Sequence, residues 1–130
     1  MKRFILFILG FALMGLNLWA EEKGLVVESA KLCGGVENRE PVGEDSVFSV
    51  NEKVFLWMKV TGGASDTISV TWKIGDQQFP FQLAIAGSPW RTWAKKTVWK
   101  AGEWSVEVKD REGNLLKEMT FLVREKKEGE

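Results

Sequence analysis

The residues best equipped for chemistry lie between Ser88 and Asp110, where rings and cations interleave: Trp90, Arg91, Trp93, Lys95, Lys96, Trp99 and Trp104. Four of the seven tryptophans of the 130-residue sequence fall there. The chemistry such a string supports is recognition. A cation over an indole face gains roughly 0.5–2 kcal/mol, Trp and Arg are enriched where partners bind, and flat rings stack on sugars. The plainer role is packing, with indoles in a β core and Lys or Arg stems covering ring faces while their heads stay in water. If the string binds a partner, its working set is Trp90, Arg91, Trp93 and Lys96. Arg39 and Glu40, in the loop before Pro41, are positioned to pair with each other or with this patch. A platform for a glycan would instead use exposed Trp57, Trp93 or Trp99.

Catalysis is poorly provided for. The sequence has no histidine, which removes Ser-His-Asp triads, Cys-His pairs and the commonest zinc ligand. Its one cysteine, Cys33, cannot build a thiolate metal cluster. No phosphate loop or dinucleotide fingerprint is present, so no cofactor is expected. The remaining route is a carboxylate pair, Glu44-Asp45 or Asp110 with Glu112. Acids in turns ordinarily hydrogen-bond their own backbone, and the spaced acids of a calcium loop are missing. The expectation is a chain without enzymatic activity. Eighteen basic and eighteen acidic residues balance, which leaves no global field for nucleic acid.

Strands must position these groups. Ile68, Val70, Trp72 and Ile74 alternate with Thr67, Ser69, Thr71 and Lys73, the period of a half-buried strand. Gly75-Asp76 supplies a turn, and Phe79, Phe81, Leu83 and Ile85 alternate again, so the two runs read as a hairpin. Pro80 places its strand at an edge or a bulge. Val54 to Val60, Trp104 to Val108 and Leu115 to Val123 supply further runs, with Leu25–Cys33 and Ser46–Val50 as fainter ones. Trp90 and Trp93 are three apart, so either a bulge intervenes or one ring faces the core and the other faces water. Phe55 and Trp57, flanked by Lys53 and Lys59, lie opposite Val54 and Leu56; on an open face both rings would be exposed. No sustained helical period appears beyond the N-terminus. The pattern predicts an all-β fold, a small antiparallel sandwich of seven to eight strands, immunoglobulin-like or a related Greek key.

The first twenty residues read as an address. Lys2 and Arg3 precede an apolar run from Phe4 to Leu18, and Ala20 stands before Glu21-Glu22, the layout of a secretory signal helix. Cleavage after Ala20 is expected; the alternative is an uncleaved segment serving as the one membrane anchor. Cleavage would remove two basic residues and no acid, leaving a net charge of −2. The domain is then expected over 21–124, with a charged, solvated tail over 125–130. Export points to an oxidising compartment, periplasm or medium, where the lone Cys33 is expected to be buried or to form an intermolecular disulfide.

The chain resembles the bacterial family called domain of unknown function 2914 (DUF2914). The resemblance rests on Cys33, Val36, Arg39, Pro41 and Gly43 within Ala30 to Gly43, then Trp72, Trp90-Arg91-Thr92-Trp93, Lys96, Gly102-Glu103-Trp104, Val106, Val108, Gly113, Leu116 and Phe121. It implies a small extracytoplasmic β domain with no assigned catalytic residue. Many relatives carry a histidine two residues before the tryptophan matching Trp72; here that position is Val70, so no histidine-based role carries over. The combined expectation is an exported, non-catalytic module of the cell envelope that binds a protein or, alternatively, a glycan.

Overall fold

The computed structural model describes residues 24–63 and 66–126. The leader expected over 1–20, its cleavage point and the end of the tail, 127–130, lie outside the described residues. Within them the chain forms nine strands and no helix: β1 (Val26–Glu37), β2 (Glu40–Glu44), β3 (Val47–Ser49), β4 (Glu52–Thr61), β5 (Asp66–Ile74), β6 (Gln77–Ile85), β7 (Trp90–Val98), β8 (Gly102–Asp110) and β9 (Leu115–Arg124). They build two sheets, β2-β1-β4-β7 and β3-β9-β8-β5-β6, antiparallel except for the parallel pair β3–β9. The result is a β-sandwich. The strand beyond the predicted seven or eight is β2, in a stretch where Pro41 and Gly43 signal a loop.

Alternation explains the layers. On β5 Ile68, Val70, Trp72 and Ile74 point inward; on β8 Trp104, Val106 and Val108 do so; on β4 Val54, Leu56, Met58 and Val60 do so. The register pairs Val70 with Val108 and Trp72 with Val106. A slip by one residue would turn all of these to water, so burial holds the pairing. Trp72, Trp104, Phe48 and Phe121 form the aromatic centre, with Phe121 edge-on to Trp72 at 6.0 Å and stacked on Trp104 at 6.2 Å. Gly75, at φ 57°, opens the two-residue turn between β5 and β6, a backbone conformation that glycine adopts without strain.

β6 is an edge strand and Pro80 sits within it, as a missing backbone donor requires. Its inward face is only partly covered. Ile85 is buried, Phe79 and Leu83 are half-buried, and Phe81 stays exposed.

Candidate functional site

β7 runs without a bulge. Its register against β4 is continuous, from Val60↔Trp90 through Trp57↔Trp93 to Glu52↔Val98. The spacing of three therefore resolves as one ring in and one ring out. Trp90 shares the inner face with Met58 and Val60, while Arg91, Trp93 and Lys95 share the outer face with Lys59, Trp57 and Phe55.

The β1–β2 hairpin completes the site. Its turn, Asn38-Arg39, has positive φ at both residues, 54° and 65°, the backbone of a type I′ turn. Asparagine enters that region readily; a long side chain does so at a cost. Where the hairpin leaves β4, Gly34 faces Gly43, which has φ 74°. With no side chains at that level the two-stranded ribbon bends sharply and lies across the outer face of its own sheet. Three contacts hold the turn there. The Trp57 Nε1–H donates to the Arg39 carbonyl at 2.9 Å. The Glu40 carboxylate pairs with the Arg91 guanidinium. The Arg39 guanidinium lies 5.6 Å from the centre of the Trp90 ring.

This corrects the expectation for Trp57 and bears out burial for Cys33. Trp57 is not on an open face: it is 5% exposed beneath the hairpin, so it cannot serve a glycan platform. Cys33 is buried, but on the outer side of the sheet, opposite Phe55 and apart from the sandwich core. Burial pushes its thiol pKa up, hydrogen bonds with the backbone of Gly35 and Val42 partly offset this, and Glu44 adds to it.

Four of the five residues singled out for partner binding are thus brought together: Arg39, Trp90, Arg91 and Trp93 line one hollow of about 220 Å³, closed on its far side by Ala84 of β6. Beside it a groove of about 540 Å³ runs past Glu28, Arg39, Glu40, Trp57, Lys59 and Arg91. Lys59 and Arg91 there are paired with Glu28 and Glu40. Among the described residues no carboxylate pairs with Arg39. A hollow of about 590 Å³ lies elsewhere, between Ser49–Glu52 and Glu125–Lys126, without a tryptophan.

Lys96 is the fifth and lies apart. It shares the inner-face parity opposite Val54, near the other end of β7. Its ammonium sits 4.1 Å from the Phe79 ring centre and 5.2 Å from that of Trp99. Trp99 is 40% exposed and stands perpendicular to Phe79 and Trp104, so it presents an edge-packed single ring rather than a coplanar pair. Residue spacing alone could not place Phe79 or Ala84 beside this string, because they arrive from the other sheet.

The acids do not converge. Asp110 accepts from the backbone of Glu112 and Asn114 and from the Asn114 side chain, each at 2.9 Å. These bonds, the Asn114 side chain first, lower its pKa. Asp45 accepts from Ser46 and Val47 at its own turn, and Glu44 pairs with Lys31. Among the described residues no cluster of three acid or thiol groups is arranged to hold a metal.

Residues 65–123 match the model of the family described as "Protein of unknown function (DUF2914)", the family the sequence resembles. That match covers β5 to β9 and stops short of the hairpin. No curated protein matches. Among solved structures, the Pseudomonas fluorescens alkylpurine DNA glycosylase AlkC, bound to DNA containing an abasic site analog, is similar with a TM-score of 0.52 and 13% identity over 77% of this chain. The chain spans only 30% of that protein's length, and the likeness is one of fold. The CARDB domain of a Pyrococcus furiosus protein, in complex with di-metal ions, has a TM-score of 0.47 at 15% identity, covering 79% of this chain and 94% of that one. A Niemann-Pick type C2 protein from Japanese carpenter ant has a TM-score of 0.43 at 13% identity, covering 78% of this chain and 92% of that one.

Proposed function

We propose that this chain is an exported, non-catalytic binding domain of the cell envelope, which holds a partner protein through the surface of Arg39, Trp90, Arg91 and Trp93. Export rests on the basic start and apolar run of residues 1–20. A non-catalytic role is favoured by the lack of histidine and by acids that spend their lone pairs on their own turns. An immunoglobulin-like reading is supported by the strand order, in which β4 pairs β7 and β5 pairs β8 while the chain passes between the sheets five times.

The observation that carries the proposal is Arg39. It sits at φ 65° in a turn where glycine would be unstrained, exposed and without an ion-pair partner among the described residues, over one indole and beside a second guanidinium. Strain kept in an exposed position is the pattern of a binding surface. A protein partner is favoured over a sugar because Trp57 is covered and Trp93 has no exposed coplanar companion ring.

The test is capture from the native envelope. The purified protein, immobilised, is expected to retain a specific envelope protein, and Arg39→Glu with Arg91→Glu is expected to abolish that retention while leaving the circular dichroism unchanged. Equal retention by the folded double variant would overturn the assignment of the surface.

A further inference from the structure

β7 ends its sheet. Its nine residues pair with β4 on one side, and among the described residues no strand pairs with the other. In an antiparallel pair every second residue turns its N–H and C=O away from the partner strand. β7 therefore offers a row of backbone donors and acceptors at the mouth between the two sheets. β6 lies across that mouth but belongs to the other sheet. Side chains bridge the mouth at two levels: Arg39 over Trp90 beside Ala84, and Lys96 on the ring of Phe79. Trp90 and Lys96 are six residues apart, about 20 Å along a strand.

The two edges differ. β6 is interrupted by Pro80, which removes a donor and guards it against pairing. β7 contains no proline. Its guard is charge: from Ser88 to Gly102 the chain carries Lys95, Lys96 and Lys100, beside an Arg91 already paired with Glu40, and no acid. Cations along an edge repel a neutral or basic strand and favour an acidic one, so the same residues reject and select.

We propose that the free edge of β7 takes up an acidic, extended segment of a partner protein as an added strand. Carboxylates of that segment meet Arg39 near one end and Lys96 near the other, and the backbone of β7 supplies the register. This rests on the binding reading of the same surface and names its ligand.

The probe is a nine-residue synthetic peptide alternating glutamate and valine, titrated into the protein, with a lysine–valine peptide as control. The acidic peptide is expected to bind and the basic one not. Amide exchange within Trp90–Val98 is expected to slow at least about tenfold on binding, with β6 amides unchanged. Lys96→Glu and Arg39→Glu are each expected to weaken binding about tenfold or more. Arg39 lies on an exposed turn, so its variant reads the prediction even if Lys96→Glu disturbs the core. Binding of the peptide without protection of β7, equal binding of both peptides, or no binding at all would overturn the proposal. So would a concentration-dependent dimer in which β7 amides are already protected, which would make a second copy the occupant. Envelope capture that survives any of these results leaves the binding reading standing, whereas loss of capture removes both.

Discussion

Two buried tryptophans with the same exposure are satisfied differently. Trp104 is fully buried, and its Nε1–H donates to the Lys100 carbonyl at 2.8 Å. Trp72 is equally buried, but its Nε1 has no hydrogen-bond partner among the described residues. Truncating either to alanine is expected to cost about 3–5 kcal/mol, the range for removing a core aromatic. The phenylalanine variants should separate them. Trp104→Phe forfeits a hydrogen bond as well as contacts, whereas Trp72→Phe removes a donor that was desolvated without return. Urea unfolding should therefore show Trp72→Phe to be milder by roughly 1–2 kcal/mol. The reverse order would mean that the Trp72 indole is satisfied in solution.

Hairpin β1–β2 is the element that makes a site out of scattered residues. It is anchored at its base by pairing with β4 and at its tip by the Trp57–Arg39 bond and the Arg91–Glu40 pair. Cys33 lies under it, 0% exposed, with Gly35 and Val42 backbone against the thiol. Labelling of this thiol in the native protein thus reports hairpin opening. Both side chains of the Arg91–Glu40 pair are partly exposed, so the pair is worth no more than about 1 kcal/mol. Glu40→Ala is expected to speed labelling by no more than about fivefold, and Trp57→Phe to speed it further by removing the indole donor. Unchanged rates in both variants would place the closure elsewhere. The glycine pair at the bend predicts a larger defect: Gly43→Ala puts a side chain at φ 74°, strained whatever the space around it.

For the molecule as a whole, the acid limb of stability follows from two carboxylates. Lys73, hydrogen-bonded to Glu107 at 2.9 Å, holds that carboxyl below its usual range, and the Asn114 side chain leads the bonds that do the same for Asp110. A folded-state pKa below the unfolded one contributes stability above the unfolded value and loses it as pH falls through the folded value. The melting temperature should therefore hold from neutral pH to about 5 and drop below about 4. Glu107→Gln should lower the plateau and flatten the drop; an unaltered acid limb would exclude the Lys73 contact as its source. Cys33 acts at the other end, where its raised pKa costs stability as pH climbs past that of the unfolded thiol.

Much of the sandwich was legible in residue order because strand faces repeat every two residues. Ile68 to Ile74 and Trp104 to Val108 carried their orientation in their own alternation, and Pro80 announced its edge. The one-in, one-out choice at Trp90 and Trp93 needed only the absence of a bulge. What alternation could not reveal is what covers a face. Trp57 and Cys33 have the parity of exposed residues and are buried only because a ribbon bent at Gly34 and Gly43 lies over them. Lys96 reads as a neighbour of Trp90 and Arg91, yet it sits on Phe79, a ring from the opposite sheet. Local order along one strand determines which side a residue faces. Only the tertiary fold decides what meets it there, because that partner comes from a distant part of the chain.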